Sequence, residues 1–145
     1  MPLTFIEWVS VRISMFKTKS IHSPIEPHRD GLRILTTRGR GRGVPKDRYD
    51  VWMANLGPSE DLLNEFLAQK IEWDEFGERY RAELREDGAI DLRNPRIKNH
   101  GQKFTLRLLQ RLAEDGTVTL LCHCAEEAKH CHRHLLKALL EKKVS

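Results

Sequence analysis

The spacing of apolar and polar residues changes several times along this chain, and each change marks an element. Residues 8–14, WVSVRIS, alternate large apolar with polar side chains, the two-residue period of a half-buried strand. The stretch after it, KTKSIHSPIEPHRDG, holds two prolines, a glycine and many polar groups, and is expected to be a connecting loop. LRILTTR, residues 32–38, is the second predicted strand, and it runs straight into GRGRGVPKD.

From Pro58 onward the period becomes helical. Ser59 is placed to cap, Glu60 and Asp61 fall in the first turn, and Leu62, Leu63, Phe66 and Leu67 share one face. In IEWDEFGERYRAELRED the residues Trp73, Phe76, Tyr80 and Leu84 predict a second helix with its aromatics packed inward. GAIDLRNPRIKNHG reads as a loop. Gln102 to Glu114 then predicts a third helix with Phe104, Leu108, Leu109 and Leu112 on its inner face, ended by Asp115-Gly116. TVTLLCH, residues 117–123, is a β-branched and leucine-rich run of the kind buried on both faces of a parallel sheet. A final helix starts near Cys131 and presents Leu135, Leu136, Leu139 and Leu140 to the core.

This order, with no internal repeat, predicts an α/β fold: a single domain over residues 1–145, of three layers, with a small, mainly parallel sheet flanked by helices. In such sheets ligands gather beyond the carboxyl ends of the strands. Two segments leave their strands in that way, Arg38 to Arg42 and Cys122 to Arg133.

Composition adds limits. An apolar share of 39% with 32% charge belongs to a packed globular chain rather than a disordered one. No apolar run approaches the length of a membrane span, and the first residues lack a basic segment ahead of an apolar one, so no membrane partner and a cytoplasmic location are expected. Three cysteines within ten residues cannot build a distributed disulfide framework, which also fits a reducing compartment.

The net charge of +4 is concentrated. Arg38, Arg40, Arg42, Lys46 and Arg48 lie within eleven residues that hold one acid, Asp47. Such a run favours an anionic partner: a phosphate ester, a nucleotide or a nucleic-acid backbone. The intervening glycines spell GxGxG, but no amphipathic helix follows at once, as a dinucleotide fingerprint requires. No recognised nucleic-acid-binding motif accompanies the run either, and Trp52 is the nearest aromatic.

LLCHCAEEAKHCHRHLL, residues 120–136, contains all three cysteines and four of the seven histidines. Three readings stay open. Arg38, Arg42 and Arg133 can bind an anion beside a helix start, with His132 as general acid or base and Cys122 or Cys131 as nucleophile or pocket wall; no cofactor is predicted for this site. Alternatively, Cys122, Cys124, Cys131 and His134 offer the donor count and softness that zinc takes. Third, the cysteines are ordinary core residues, free cysteine being among the most buried types. The spacing from Cys124 to Arg133 is too long for the loop of the cysteine phosphatases.

LLC followed by CHRHLL is similar to the closing motif of the family known as domain of unknown function 488. The middle of the chain resembles its YeaO-like branch, through Arg38, Arg42 and Gly43 in LRILTTRGRGRGVPK, Trp52, Pro58 and Ser59 in DVWMANLGPSEDLL, and Phe76, Tyr80, Glu83 and Leu84 in WDEFGERYRAEL. Thr37 stands where that family usually has aspartate, and Arg40-Gly41 replaces a tryptophan and proline. The resemblance implies a small cytoplasmic α/β domain without an established activity, in which Arg38, Arg42, Cys122, Cys131, His132 and Arg133 converge.

Overall fold

A computed structural model describes residues 15–85 and 102–142; the strand expected over 8–14 and the loop over 88–101 fall outside them. Four strands, β1 (Phe16–Ser20), β2 (Leu32–Leu35), β3 (Val51–Trp52) and β4 (Val118–Cys122), form one sheet in the order β1-β4-β2-β3. Every pairing is parallel. Five helices accompany them among the described residues: α1 (Pro27–Asp30), α2 (Glu60–Leu67), α3 (Trp73–Arg85), α4 (Gln102–Asp115) and α5 (His132–Glu141). The expected α/β architecture is borne out.

β4 lies between two neighbours and is buried at all five positions, which is why VTLLC carries no solvent-facing alternation. On one face Val118 and Leu120, with Phe16 and Ile34, pack against Leu62 of α2, Tyr80 of α3, Leu109 of α4 and Leu136 of α5. On the other, Leu121, Leu35 and Ile21 form a small cluster with Val44 and Tyr49 from the glycine-rich loop. Among the described residues this second layer is thin, a loop and the single turn of α1.

β1 and α1 occupy the stretch expected to be a connecting loop. FKTKS hides its strand because the residues facing the thin layer are lysines rather than apolar side chains. Lys19 is buried, and its ammonium lies 3.2 and 3.1 Å from the two carboxylate oxygens of the buried Asp30. Lys17 reaches the same carboxylate at 3.0 Å. Burial alone raises the Asp30 carboxyl, but the Glu26 amide and the two lysines outweigh it and hold the group below its ordinary value. Gly31 then turns the chain from α1 into β2 with φ of +59°, at a point where a Cβ would stand 2.1 Å from the Thr117 carbonyl oxygen.

The inner face of α4 also differs from expectation. Leu106, Leu109 and Ala113 are buried, whereas Phe104, Leu108 and Leu112 are exposed. Both sets have helical spacing, so periodicity alone cannot choose between them. The sheet does: Leu106, Leu109 and Ala113 join Phe16, Val118 and Leu120 in one buried cluster, and the Met15 amide donates to the Ala113 carbonyl at 3.2 Å. At α2 the predicted cap is present: the Leu62 amide donates to Ser59 Oγ at 3.3 Å, while Leu67 points outward. No helix among the described residues is long and apolar enough to cross a membrane.

Candidate functional site

β2 and β4 are adjacent and parallel with Leu35 opposite Leu121, so the residues leaving the two strands emerge side by side. The ladder runs one step further, the Thr36 amide donating to the Leu121 carbonyl at 2.9 Å. A cleft of about 560 Å³ opens at this edge. Thr37 and Arg38 line it from the β2 exit, His123 and Cys124 from the β4 exit, and His132 from the head of α5. The start of α2 closes the opposite side through Leu63 and Asn64.

Three sulfurs meet at the floor. The Sγ atoms of Cys122, Cys124 and Cys131 all lie within 4.8 Å of one another, and those of Cys122 and Cys131 are 2.9 Å apart. None of the three is in a disulfide. Their exposure divides them: Cys122 is 0% and Cys131 2% exposed, whereas Cys124 is exposed. The cause is local, because β4 ends at Cys122 and the turn that follows lifts Cys124 out of the strand face it would otherwise share. The Cys124 amide folds back to donate to Cys122 Sγ at 3.3 Å.

Arg133 secures this turn from below. Its side chain is fully buried, and Nη1 donates to Cys122 Sγ at 2.7 Å and to the Cys124 carbonyl at 3.3 Å. Nη2 donates to the carbonyls of Ala125 and Glu126 at 2.9 and 3.0 Å. The Cys122 thiol is raised, first by its hydrogen bond to Cys124, and the Cys131 thiol is raised by hydrogen bonding to Cys122 and then Cys124. These same two thiols, as donors, hold the Cys124 thiol well below its ordinary value.

His132 has a fixed tautomer. Its Nε2 lies 2.8 Å from the Thr36 carbonyl, to which it donates, leaving Nδ1 as an acceptor 3.9 Å from Cys131 Sγ. Burial pushes the imidazole down to about 4, so it is neutral near pH 7. Tyr80 packs edge-on against the ring at 5.7 Å and donates its own hydroxyl to the Leu56 carbonyl. Burial holds that phenol well above its ordinary value, so the contact persists across the physiological range.

Of the sequence-predicted residues, Cys122, Cys131, His132, Arg38 and Arg133 are brought to this region, with Arg133 beneath the cleft rather than in its wall. Arg38 is buried and donates from Nε to the Pro58 carbonyl at 3.2 Å, joining the β2 exit to the start of α2. Arg42 is elsewhere: it is exposed and lines a separate cavity of about 110 Å³ with His22 and Arg48. His134 does not join the sulfurs, since its Nε2 lies 2.9 Å from the Ala128 carbonyl. Much of the basic run is engaged internally. Arg40 donates to Tyr49 Oη and the Val44 carbonyl, and Arg48 donates to the carbonyls of Ile21 and Ser23.

Thr37 and His123 were not anticipated as site residues. His123 Nε2 lies 3.3 Å from Thr37 Oγ1 and 3.2 Å from the Gly39 carbonyl. Gly41, at φ of +88°, packs so closely on this ring that a Cβ would fall 2.6 Å from its Cε1. The alternation in LLCHC was the available signal, because it sets His123 toward the opposite strand exit.

The family described as the active DUF488-N3 subclade, DUF488-N3a, matches residues 16–144. This bears out the resemblance to domain of unknown function 488. The uncharacterised proteins Mb3100c of Mycobacterium bovis and Rv3073c of Mycobacterium tuberculosis are each 32% identical over 82 residues, covering 55% of this chain and 69% of theirs. No solved structure matches.

Proposed function

Because this chain belongs to the DUF488-N3a family, described as an active subclade, we propose that its cleft is the active site of a thiol-dependent enzyme for a small anionic substrate, a phosphate ester or nucleotide-like molecule. The observation that carries this reading is the meeting of one accessible sulfur, Cys124, with Arg38 and His132 in a single cleft at the carboxyl ends of β2 and β4. Cys124 is the nucleophile. The buried Cys122 and Cys131 act as its hydrogen-bond donors, and Arg133 supplies positive charge from beneath. Arg38, together with the amides at the head of α5, faces the anion, and His132 handles protons next to Cys131.

Alkylation of Cys124 by iodoacetamide, followed by peptide mass mapping, tests the reading. Inorganic phosphate or a nucleoside monophosphate should slow Cys124 alkylation, whereas chloride at equal ionic strength should not. Equal rates in all three would sink the anion site.

A second reading rests on the sulfur geometry. Three cysteine Sγ atoms within 4.8 Å form a group able to hold a soft metal ion, and three protein ligands would leave zinc an open position toward the cleft. His134 is turned away, so the ligand set is smaller than the four residues the sequence offered. Elemental analysis of the untagged protein separates the two: about one zinc per chain with protected thiols, the stoichiometry of a single site, favours metal. Nucleic-acid binding through residues 38–48 has less support, because Arg38, Arg40 and Arg48 are tied to groups within the chain.

A further inference from the structure

The nucleophile reading makes Cys124 the reacting sulfur and gives its two buried neighbours no chemistry of their own. Cys131 is buried against Cys122, faces the free Nδ1 of His132 at 3.9 Å, and lies within 4.8 Å of the exposed Cys124. A buried thiol beside an imidazole and within reach of an exposed sulfur is the arrangement in which an oxidised sulfur is captured by a neighbour.

We infer that Cys124 and Cys131 form a peroxide-reacting pair, with Cys124 attacking a small hydroperoxide and Cys131 resolving the product as a disulfide. The inference rests on the assignment of Cys124 as the accessible, reacting sulfur of the cleft.

In the first step Cys124 Sγ attacks the outer oxygen of the hydroperoxide. An S–O bond forms, the O–O bond breaks, and the departing alkoxide takes a proton from solvent to leave as an alcohol. Cys124 is then a sulfenic acid, oxidised by two electrons. In the second step Cys131 passes its proton to His132 Nδ1 while its sulfur attacks Cys124 Sγ. The S–S bond forms, the S–OH bond breaks, and hydroxide leaves as water with the proton held by His132. An external dithiol restores the pair by thiol–disulfide exchange, so one hydroperoxide and one dithiol become one alcohol, one water and one disulfide.

Cys131 rather than Cys122 is the resolving residue for two reasons. A bridge from Cys122 to Cys124 would enclose a single residue, a strained ring, and Cys122 is held by Arg133 at 2.7 Å while Cys131 is the sulfur that faces a base. Side-chain rotation of the exposed Cys124 closes the remaining gap. The cleft of about 560 Å³ admits hydrogen peroxide and small organic hydroperoxides.

The test treats the intact protein with one equivalent of hydrogen peroxide, counts free thiols with time and maps the product by peptide mass. Expected is the loss of two thiols together, a Cys124–Cys131 bridge, and a rate severalfold above that of free cysteine. Cys124→Ser, a substitution at an exposed position, should return the remaining thiols to the free-cysteine rate. Cys131→Ser removes the resolving sulfur while keeping a hydroxyl donor, and should leave a sulfenic acid on Cys124 that a cyclic 1,3-diketone traps. Any other bridge, stepwise loss of single thiols, or an equal rate in Cys124→Ser overturns the inference. Phosphate-sensitive alkylation of Cys124 measured on the same sample distinguishes its failure from that of the nucleophile reading, which survives if alkylation is fast and no bridge forms.

Discussion

Replacing Arg133 by methionine should be among the most damaging single changes in the described part of this protein. The guanidinium contacts Cys122 Sγ at 2.7 Å and three carbonyls, those of Cys124, Ala125 and Glu126, at 3.3, 2.9 and 3.0 Å. Methionine fills most of the volume but donates nothing, so the carbonyls lose their partner inside the turn from β4 to α5. At about 1 to 1.5 kcal/mol for each carbonyl, the loss sums to about 4 kcal/mol. Against a typical total of about 5 to 15 kcal/mol it is a large share. Denaturant unfolding of wild type and Arg133→Met, fitted with a common slope, measures it directly, and the midpoint of thermal unfolding should fall by about 10 °C. Arg133→Lys keeps the charge but cannot bridge four acceptors, so it should recover only part of the loss. A Met variant within about 1 kcal/mol of wild type would refute the account, because it would mean the turn holds its shape without the fork.

Asp30 gives a pH signature: its folded value lies below the unfolded one, so its stabilisation is complete above about pH 4 and is lost as pH falls through the folded value. The stability gap between wild type and Asp30→Asn should therefore shrink on acidification below about pH 4 in pH-dependent urea unfolding, and a constant gap would contradict it. On α4, Leu109→Ala should cost about 2 to 5 kcal/mol and Leu108→Ala less than about 0.5, since only Leu109 is buried; equal costs would mean the helix face is wrongly assigned. Gly31→Ala should cost at least about 2 kcal/mol by chemical denaturation, because positive φ and the Thr117 carbonyl both oppose a Cβ. Gly39→Ala, with nothing within 4 Å of its added Cβ, is the matched control and should unfold almost as wild type does.

The legible parts of this molecule are those where one residue type can satisfy only one environment. VTLLC has no polar face, so it had to become a strand covered on both sides, and the capping serine before Leu62 had one place to go. β1 was hidden for the opposite reason: lysine is read as exposed, and Lys19 is buried only because Asp30, eleven residues away, comes back to meet it. The two apolar stripes of α4 are equivalent until the sheet is in place to select one. The site follows the same division. That Cys122, Cys131, His132 and Arg38 would meet was visible from strand exits and a helix start, because parallel neighbouring strands must end on the same edge. Which sulfur would be accessible was not, because it depends on whether the strand stops at Cys122 or continues to Cys124. A strand running two residues further would bury both cysteines on one face. The observed stop exposes the second, and Arg133 enforces it by taking the carbonyls of residues 124, 125 and 126 that a longer strand would have offered to a neighbour. Arg133, which the sequence offered as an anion-binding residue, thus also ends the strand at the point that leaves Cys124 exposed.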